Sequence, residues 1–223
     1  SPRTHRPGTP VCALISGGLD SGVLLHQLLS AGMRPVPVYL RCGLLWEEAE
    51  LHWLRRLLKA TCFKPVAPLQ TVEMALSQVY EPHWSVSGRN VPDASSSDAA
   101  VYLPGRNVLL VTAAAILCVR RRISVIALGI LKGNPFADAS ARFLMRLSGC
   151  LTQALRRPIR IVTPLKRSSK AQLIRSAAGL PLELTFSCLR PRGRRHCGRC
   201  NKCAERARAF RQAGVPDPTE YAG

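Results

Sequence analysis

Aromatic residues are scarce in this 223-residue chain: five Phe, four Tyr and three Trp make up 5% of it. So few rings leave no platform on which unpaired bases could stack. Acidic residues are also few, 13 against 32 Lys and Arg, for a formal charge of +19. No apolar run reaches the roughly 20 residues that span a bilayer. The longest, 108–119, is fenced by Arg106 on one side and Arg120, Arg121 and Arg122 on the other. Residues 1–10 are polar and proline-rich, without the apolar stretch of a secretory leader, and read as a flexible arm. A Walker A loop is missing too, since no Gly-Lys-Ser or Gly-Lys-Thr occurs.

What is present is enough for a core. A hydrophobic content of 47% excludes general disorder, and the length suits one α/β domain with an appendage. The positive charge attracts polyanions, so nucleic acid is one partner class. A drift from Lys to Arg, or a surface serving ATP and an anionic substrate, accounts for the same charge, and nucleic acid is not favoured. Of nine cysteines, four crowd into 188–203, while Cys12, Cys42, Cys62, Cys118 and Cys150 lie scattered among apolar neighbours. Buried free thiols beside a metal cluster point to a reducing compartment, the cytoplasm.

The stretch that organises the chain is V-C-A-L-I-S-G-G-L-D-S, residues 11–21. A short apolar run entering Ser16, Gly17 and Gly18 reads as a buried strand meeting a tight turn, and Val23, Leu24, Leu25, Leu28 and Leu29 follow at helical spacing. The first N–H groups of such a helix have no internal partner and favour an anion. Gly17 and Gly18 let backbone approach it, Ser16 and Ser21 add hydroxyls, and Asp20 can hold Mg²⁺ against phosphate oxygens. A plain glycine turn capping a helix is the simpler reading of Gly-Gly alone. The whole hexapeptide after a strand favours nucleotide binding.

Further strands are expected at 35–40, 64–69, 124–129 and 159–163, and helices at 46–59, 72–79, 108–119, 139–155 and 168–178. This alternation predicts a Rossmann-like parallel five-stranded sheet with helices on both faces, its ligand site beyond the carboxyl ends of the strands. Residues 81–99 have no period and read as a loop or lid. In Y-L-P-G-R-N, Pro104 and Gly105 make a turn, Asn107 caps the next helix, and Arg106 can clamp a phosphate or carboxylate. Gly129 closes the fourth strand, and Asn134, Phe136 and Asp138 follow it. Asp138 either caps the next helix or contacts ligand.

Cys188, Cys197, Cys200 and Cys203 are spaced C-x8-C-x2-C-x2-C, which suits a tetrahedral Zn–S₄ site. Four thiolates leave no open position, so the zinc would be structural. His196, next to Cys197, reads as a bystander. The chain thus divides into an arm at 1–10, a nucleotide-binding domain at 11–180 and a C-terminal zinc-binding segment at 181–223.

S-G-G-L-D-S resembles the loop of the ATP-pyrophosphatase (PP-loop) superfamily. With P-G-R-N, with T-P-L and Lys170, and with Ser187, Cys188, Cys197, Gly198, Cys200, Cys203, Arg206, Phe210, Asp217, Pro218, Thr219 and Tyr221, nearly the whole chain resembles the QueC, or 7-cyano-7-deazaguanine synthase, family. The resemblance implies an ATP-dependent ligase that converts 7-carboxy-7-deazaguanine and ammonia to the amide and then to the nitrile preQ0. It implies Asp20, Ser21, Lys170 and Arg106 as catalytic residues, and residues 16–21, 105–107 and Gly129 around ATP. It also implies Asn134, Phe136 and Asp138 at the substrate, and a homodimer. Two segments depart from it. Cys42-Gly43-Leu44-Leu45-Trp46 replaces Tyr-Gly-Gln-Arg-His, and Phe136-Ala137-Asp138-Ala139-Ser140 replaces Tyr-Pro-Asp-Cys-Arg. A paralogue that stops at the amide, or passes the activated deazaguanine to another amine or a protein, is the alternative. A PP-loop tRNA-modifying enzyme, with Cys42 or Cys118 as its thiol, is the more distant one.

Overall fold

The apolar run at the head of the chain becomes β1 (Pro10–Leu14), and the helix expected after its glycines becomes α1 (Leu19–Ser30). The computed structural model describes residues 8–223. Residues 1–7 of the expected arm lie outside the described residues, while Thr9 and Pro10 already run beside Arg34. β2 (Arg34–Arg41), β3 (Gln70–Glu73), β4 (Val125–Leu128) and β5 (Arg160–Val162) complete a parallel sheet in the order β3-β2-β1-β4-β5.

Alternation along β1 sorts the core. Cys12 and Leu14 face one layer, with α5 (Arg106–Arg120) and α6 (Ala141–Leu155). Val11, Ala13 and Ile15 face the other, with α1, α2 (Glu47–Leu58), α7 (Lys170–Ser176) and α8 (Asn201–Ala213). Helices therefore cover both faces, as the buried β4 sequence V-I-A-L requires. Pro35 and Pro37 are tolerated in β2 because β3 pairs with it only from Val38 onward.

Several boundaries differ from expectation. The third strand is not 64–69, where Pro65 and Pro68 lack amide donors; Thr71 and Val72 carry it at the sheet edge instead. The helix expected at 72–79 shrinks to the single turn α3 (Ser77–Tyr80), because β3 consumes its first two residues. Residues 81–99 hold a second short turn, α4 (Trp84–Ser87), and are pinned rather than free as a lid. Asn201 donates its backbone N–H to Pro92 O at 2.9 Å and its Nδ2 to Ser96 O at 2.8 Å.

Candidate active site

Gly17 sits at φ +82, and a Cβ there would lie 2.9 Å from Leu54 Cβ, so the loop turns against α2 only with glycine. The N-cap of α1 is Gly18, with no side-chain cap, which leaves the first-turn N–H groups open. Ser21 Oγ accepts the N–H of Ser16 at 3.0 Å and closes the loop on itself. Asp20 projects from the first turn with Oδ1 buried and without a hydrogen-bonding partner among the described residues, while Oδ2 lies 3.6 Å from Lys170 Nζ. Gly129 follows β4 directly, and a Cβ added to it would lie 3.5 Å from the Asp20 backbone. The site thus lies where the sheet order reverses, between β1 and β4, the crevice that parallel sheets use for ligands.

A chain of alternating charge runs behind the loop. Lys170 Nζ lies 2.5 Å from Glu205 Oε1, and Lys202 Nζ lies 2.6 Å from Glu205 Oε2. Burial pushes the Asp20 carboxyl up, with Lys170 drawing it back. Burial would likewise lower Lys170, but Asp20 and Glu205 outweigh it and raise the ammonium. Burial also opposes ionised Glu205, yet Lys170 and Lys202 together hold its carboxyl down to about 2. Glu205 and Lys202 carried no motif, and only the three-dimensional return of α8 to α7 reveals them.

The cleft in front of the loop has a volume of about 260 Å³. Ser16, Asp20, Ser21, Arg106, Asn107 and Gly129 reach it, as do Asn134, Phe136 and Asp138 from the far side. Gly17, Gly18, Leu19 and Gly105 shape backbone instead of lining it, and Lys170 stands behind Asp20. Gly105, at φ +68, is the N-cap of α5 in place of Asn107, whose side chain turns to Asp138. Asp138 Oδ2 accepts the Asn107 N–H and Oδ1 accepts Nδ2, both at 3.0 Å. Asp138 therefore does not cap α6, where Ser140 accepts the Phe143 N–H; it ties the β4 loop to the start of α5. Arg106 presents a buried Nε without a hydrogen-bonding partner among the described residues beside that tie. Asn134 Oδ1 accepts the N–H of Phe136, and the Phe136 ring lies 5.2 Å from that of Tyr102 at the cleft mouth.

Of the two altered segments, only the second borders the cleft. Leu44 and Trp46 are core residues, with Trp46 stacked 5.8 Å from Trp84. Glu47 holds that turn by accepting the N–H groups of Cys42 at 2.7 Å and Gly43 at 3.0 Å. The cleft floor contains a pair that motif reading missed, Glu50 with Tyr39. The signal was a second glutamate on the apolar face of α2 that bears Leu51, Leu54 and Leu57.

The sulfurs of Cys188, Cys197, Cys200 and Cys203 lie within 4.8 Å of one another, all buried, and could hold a metal ion. Backbone N–H groups of Leu189, Cys197 and Arg199 point at three of them. His196 stands aside: its Nε2 accepts the Ser187 N–H, and burial with the nearby Arg206 charge lowers its imidazole to about 4. Behind the cluster, Arg206 is 2% exposed and donates to Thr185 Oγ1 at 2.8 Å and Leu182 O at 2.9 Å, with Asp217 at 3.7 Å.

A parallel 3-2-1-4-5 sheet with a Ser-Gly-Gly-x-Asp-Ser loop at its crossover defines a nucleotide-binding domain of the PP-loop type. Two solved structures share the fold. One is a predicted subunit of tRNA methyltransferase from Methanocaldococcus jannaschii (TM-score 0.51, 17% identity, 76% of this chain and 74% of that one). The other is a 4-thiouridine synthetase in complex with RNA and ATP (TM-score 0.50, 16% identity, 92% and 50%). The chain belongs to the QueC family: the model of Queuosine biosynthesis protein QueC matches residues 10–214. It is 32% identical over 204 residues to 7-cyano-7-deazaguanine synthase 1 of Desulfitobacterium hafniense, covering 90% of each chain. It is 29% identical over 232 residues to the 7-cyano-7-deazaguanine synthase of Methanothrix thermoacetophila, covering 96% and 99%. Among the described residues, no helix is long and apolar enough to cross a membrane.

Proposed function

We propose that this chain is an ATP-dependent carbon–nitrogen ligase of the cytoplasm that adenylates 7-carboxy-7-deazaguanine and uses ammonia to give the amide, then the nitrile preQ0. The observation that carries this reading is the orphaned Asp20 Oδ1 beside the open N-terminus of α1. A buried carboxylate oxygen without a donor suits a cation, and uncapped N–H groups suit the anion that cation accompanies. Asp20 would hold Mg²⁺, which supplies charge neutralisation on the departing pyrophosphate.

A carboxylate is a poor electrophile, and transfer of AMP to it creates a mixed anhydride with a good leaving group. The N–H groups of residues 18–21 and the Ser16 hydroxyl would receive the pyrophosphate, with Lys170 holding Asp20 in place. Arg106, anchored through Asn107 and Asp138, would face the α-phosphate or the substrate carboxylate. Tyr102 and Phe136 offer aromatic surface for a planar base at the mouth. The four cysteines would hold zinc with no position open for water, which makes the ion structural.

Phe136, which stands for the tyrosine of a Tyr-Pro pair, borders the cleft, and this favours a paralogue ending at the amide as the second reading. Incubation with ATP, Mg²⁺, ammonium and 7-carboxy-7-deazaguanine separates them by product mass. AMP, pyrophosphate and a nitrile are expected. An amide alone selects the second reading, and absence of AMP overturns both.

A further inference from the structure

The proposed chemistry leaves one buried carboxyl without a task. Glu50 is 7% exposed, yet it reaches the cleft that holds Ser16 and Arg106. Its Oε2 accepts the Tyr39 O–H at 2.8 Å, the hydrogen bond that the carboxylate makes among the described residues, and the side chain borders the cleft. Its neighbours on the buried face of α2 are Leu51, Leu54 and Leu57, and one carboxylate oxygen is enough to satisfy Tyr39. A carboxyl kept there at the cleft is placed to meet a small polar reactant.

Resting on the ligase reading above, we propose that Glu50 is the general base that converts bound ammonium to ammonia for attack on the activated carboxylate. Ammonia reaches an enzyme at neutral pH as ammonium, which has no lone pair to attack with. Burial pushes Glu50 up to about 8, while Arg106 and Tyr39 draw it down and Glu47 pushes it up again. Those groups, with the Cys42 thiol, are the titratable ones facing it: Tyr39 from β2, Cys42 just after it, Arg106 from α5 and Glu47 from its own helix. A carboxyl near the working pH both accepts and releases a proton readily. Tyr39, raised well above its ordinary value by burial first and then by Glu50, stays protonated and keeps donating.

The atoms balance. Of the four hydrogens of ammonium, Glu50 takes one, and the lone pair so freed forms the C–N bond at the acyl carbon. The C–O bond to AMP breaks and its electron pair leaves on the phosphate. A second hydrogen departs from nitrogen to that phosphate, and two remain in the amide. Glu50 returns its proton to solvent before the next turnover.

Hydroxylamine separates this role from a structural one, because it is unprotonated at neutral pH and needs no base. E50Q keeps the side-chain shape and an oxygen for Tyr39. It should lose about 100-fold or more in ammonium-dependent turnover, yet form hydroxamate within a few-fold of wild type. Its residual ammonium activity should climb steadily with pH as free ammonia accumulates, without the plateau of wild type. Tyr39→Phe, a second variant, removes the donor to Glu50 and should move the acid limb of the wild-type pH profile upward. E50Q that is equally impaired with both nucleophiles, or unimpaired with ammonium, overturns the proposal alone. A wild type that makes AMP with neither nucleophile overturns the ligase reading and this proposal with it.

Discussion

Gly17→Ala tests whether the loop glycines serve packing or ligand. At Gly17 the backbone has φ +82, where an L side chain costs about 1–2 kcal/mol. The added Cβ would also lie 2.9 Å from Leu54 Cβ, 3.3 Å from its Cα and 3.4 Å from Glu50 O. None of these is the far end of a flexible chain, so α2 must shift, an overpacking cost of about 1–3 kcal/mol. Together they predict a loss of about 2–5 kcal/mol, or roughly 4–20 °C in Tm for a domain of this size. Gly18→Ala is the control. Its Cβ would meet nothing closer than 3.5 Å, and its φ of −70 suits any residue. Its Tm should move by no more than about 2 °C, while ATP turnover falls if phosphate approaches that backbone. Thermal unfolding of both variants beside wild type is the assay. Leu54→Ala should not rescue Gly17→Ala, because the clashing Cβ remains; Leu54→Gly removes it. A Gly17→Ala protein that melts within a degree of wild type would refute the steric reasoning.

Other outcomes follow from neighbouring features. Replacing Arg206 by Met should cost about 3–5 kcal/mol in urea titration, since it takes the cation from Asp217 and one donor each from Thr185 Oγ1 and Leu182 O; a loss below 1 kcal/mol contradicts that. Glu205, held at about 2 against an ordinary 4.5, contributes stability that is complete above pH 4.5 and is lost as pH falls toward 2. Glu205→Gln should therefore be less stable than wild type at neutral pH by up to about 3 kcal/mol, and the gap should close on acidification; a gap that widens refutes the sign. Metal analysis should find one zinc per chain, and Cys200→Ala or a strong chelator should remove it and expose 188–203 to protease. A zinc-free chain of unchanged protease resistance would contradict a structural ion.

Most of the architecture was legible because the buried strands are short apolar runs closed by glycine or proline. β1, β2 and β4 announced themselves in this way, the half-buried edge strand β5 did so through Ile161 and Val162 before Pro164, and the alternation with helices led to the parallel sheet. The other edge strand, β3, did not. Gln70–Glu73 is half exposed and polar at both ends, so the apolar-looking residues before it drew the expectation to 64–69. The loop of residues 16–21 and the four cysteines were visible because their spacing is local. Glu50, Glu205 and the Asp138–Asn107 tie were hidden, since their partners lie 11, 35 and 31 residues away in the chain. Asn107 illustrates the trap. It sits where a capping residue belongs, but Gly105 begins the helix and frees the amide for a longer-range contact.

The salt link from Asp20 through Lys170 to Glu205 joins α1 through α7 to α8. All five strands have been made by Val162, whereas Glu205 belongs to α8, which starts at Asn201. A ribosome-bound chain can therefore lay down its sheet and phosphate loop while Lys170 still lacks its second carboxylate. The brace of the loop therefore depends on the helix that leaves the four-cysteine cluster, and it forms only after every strand has been made.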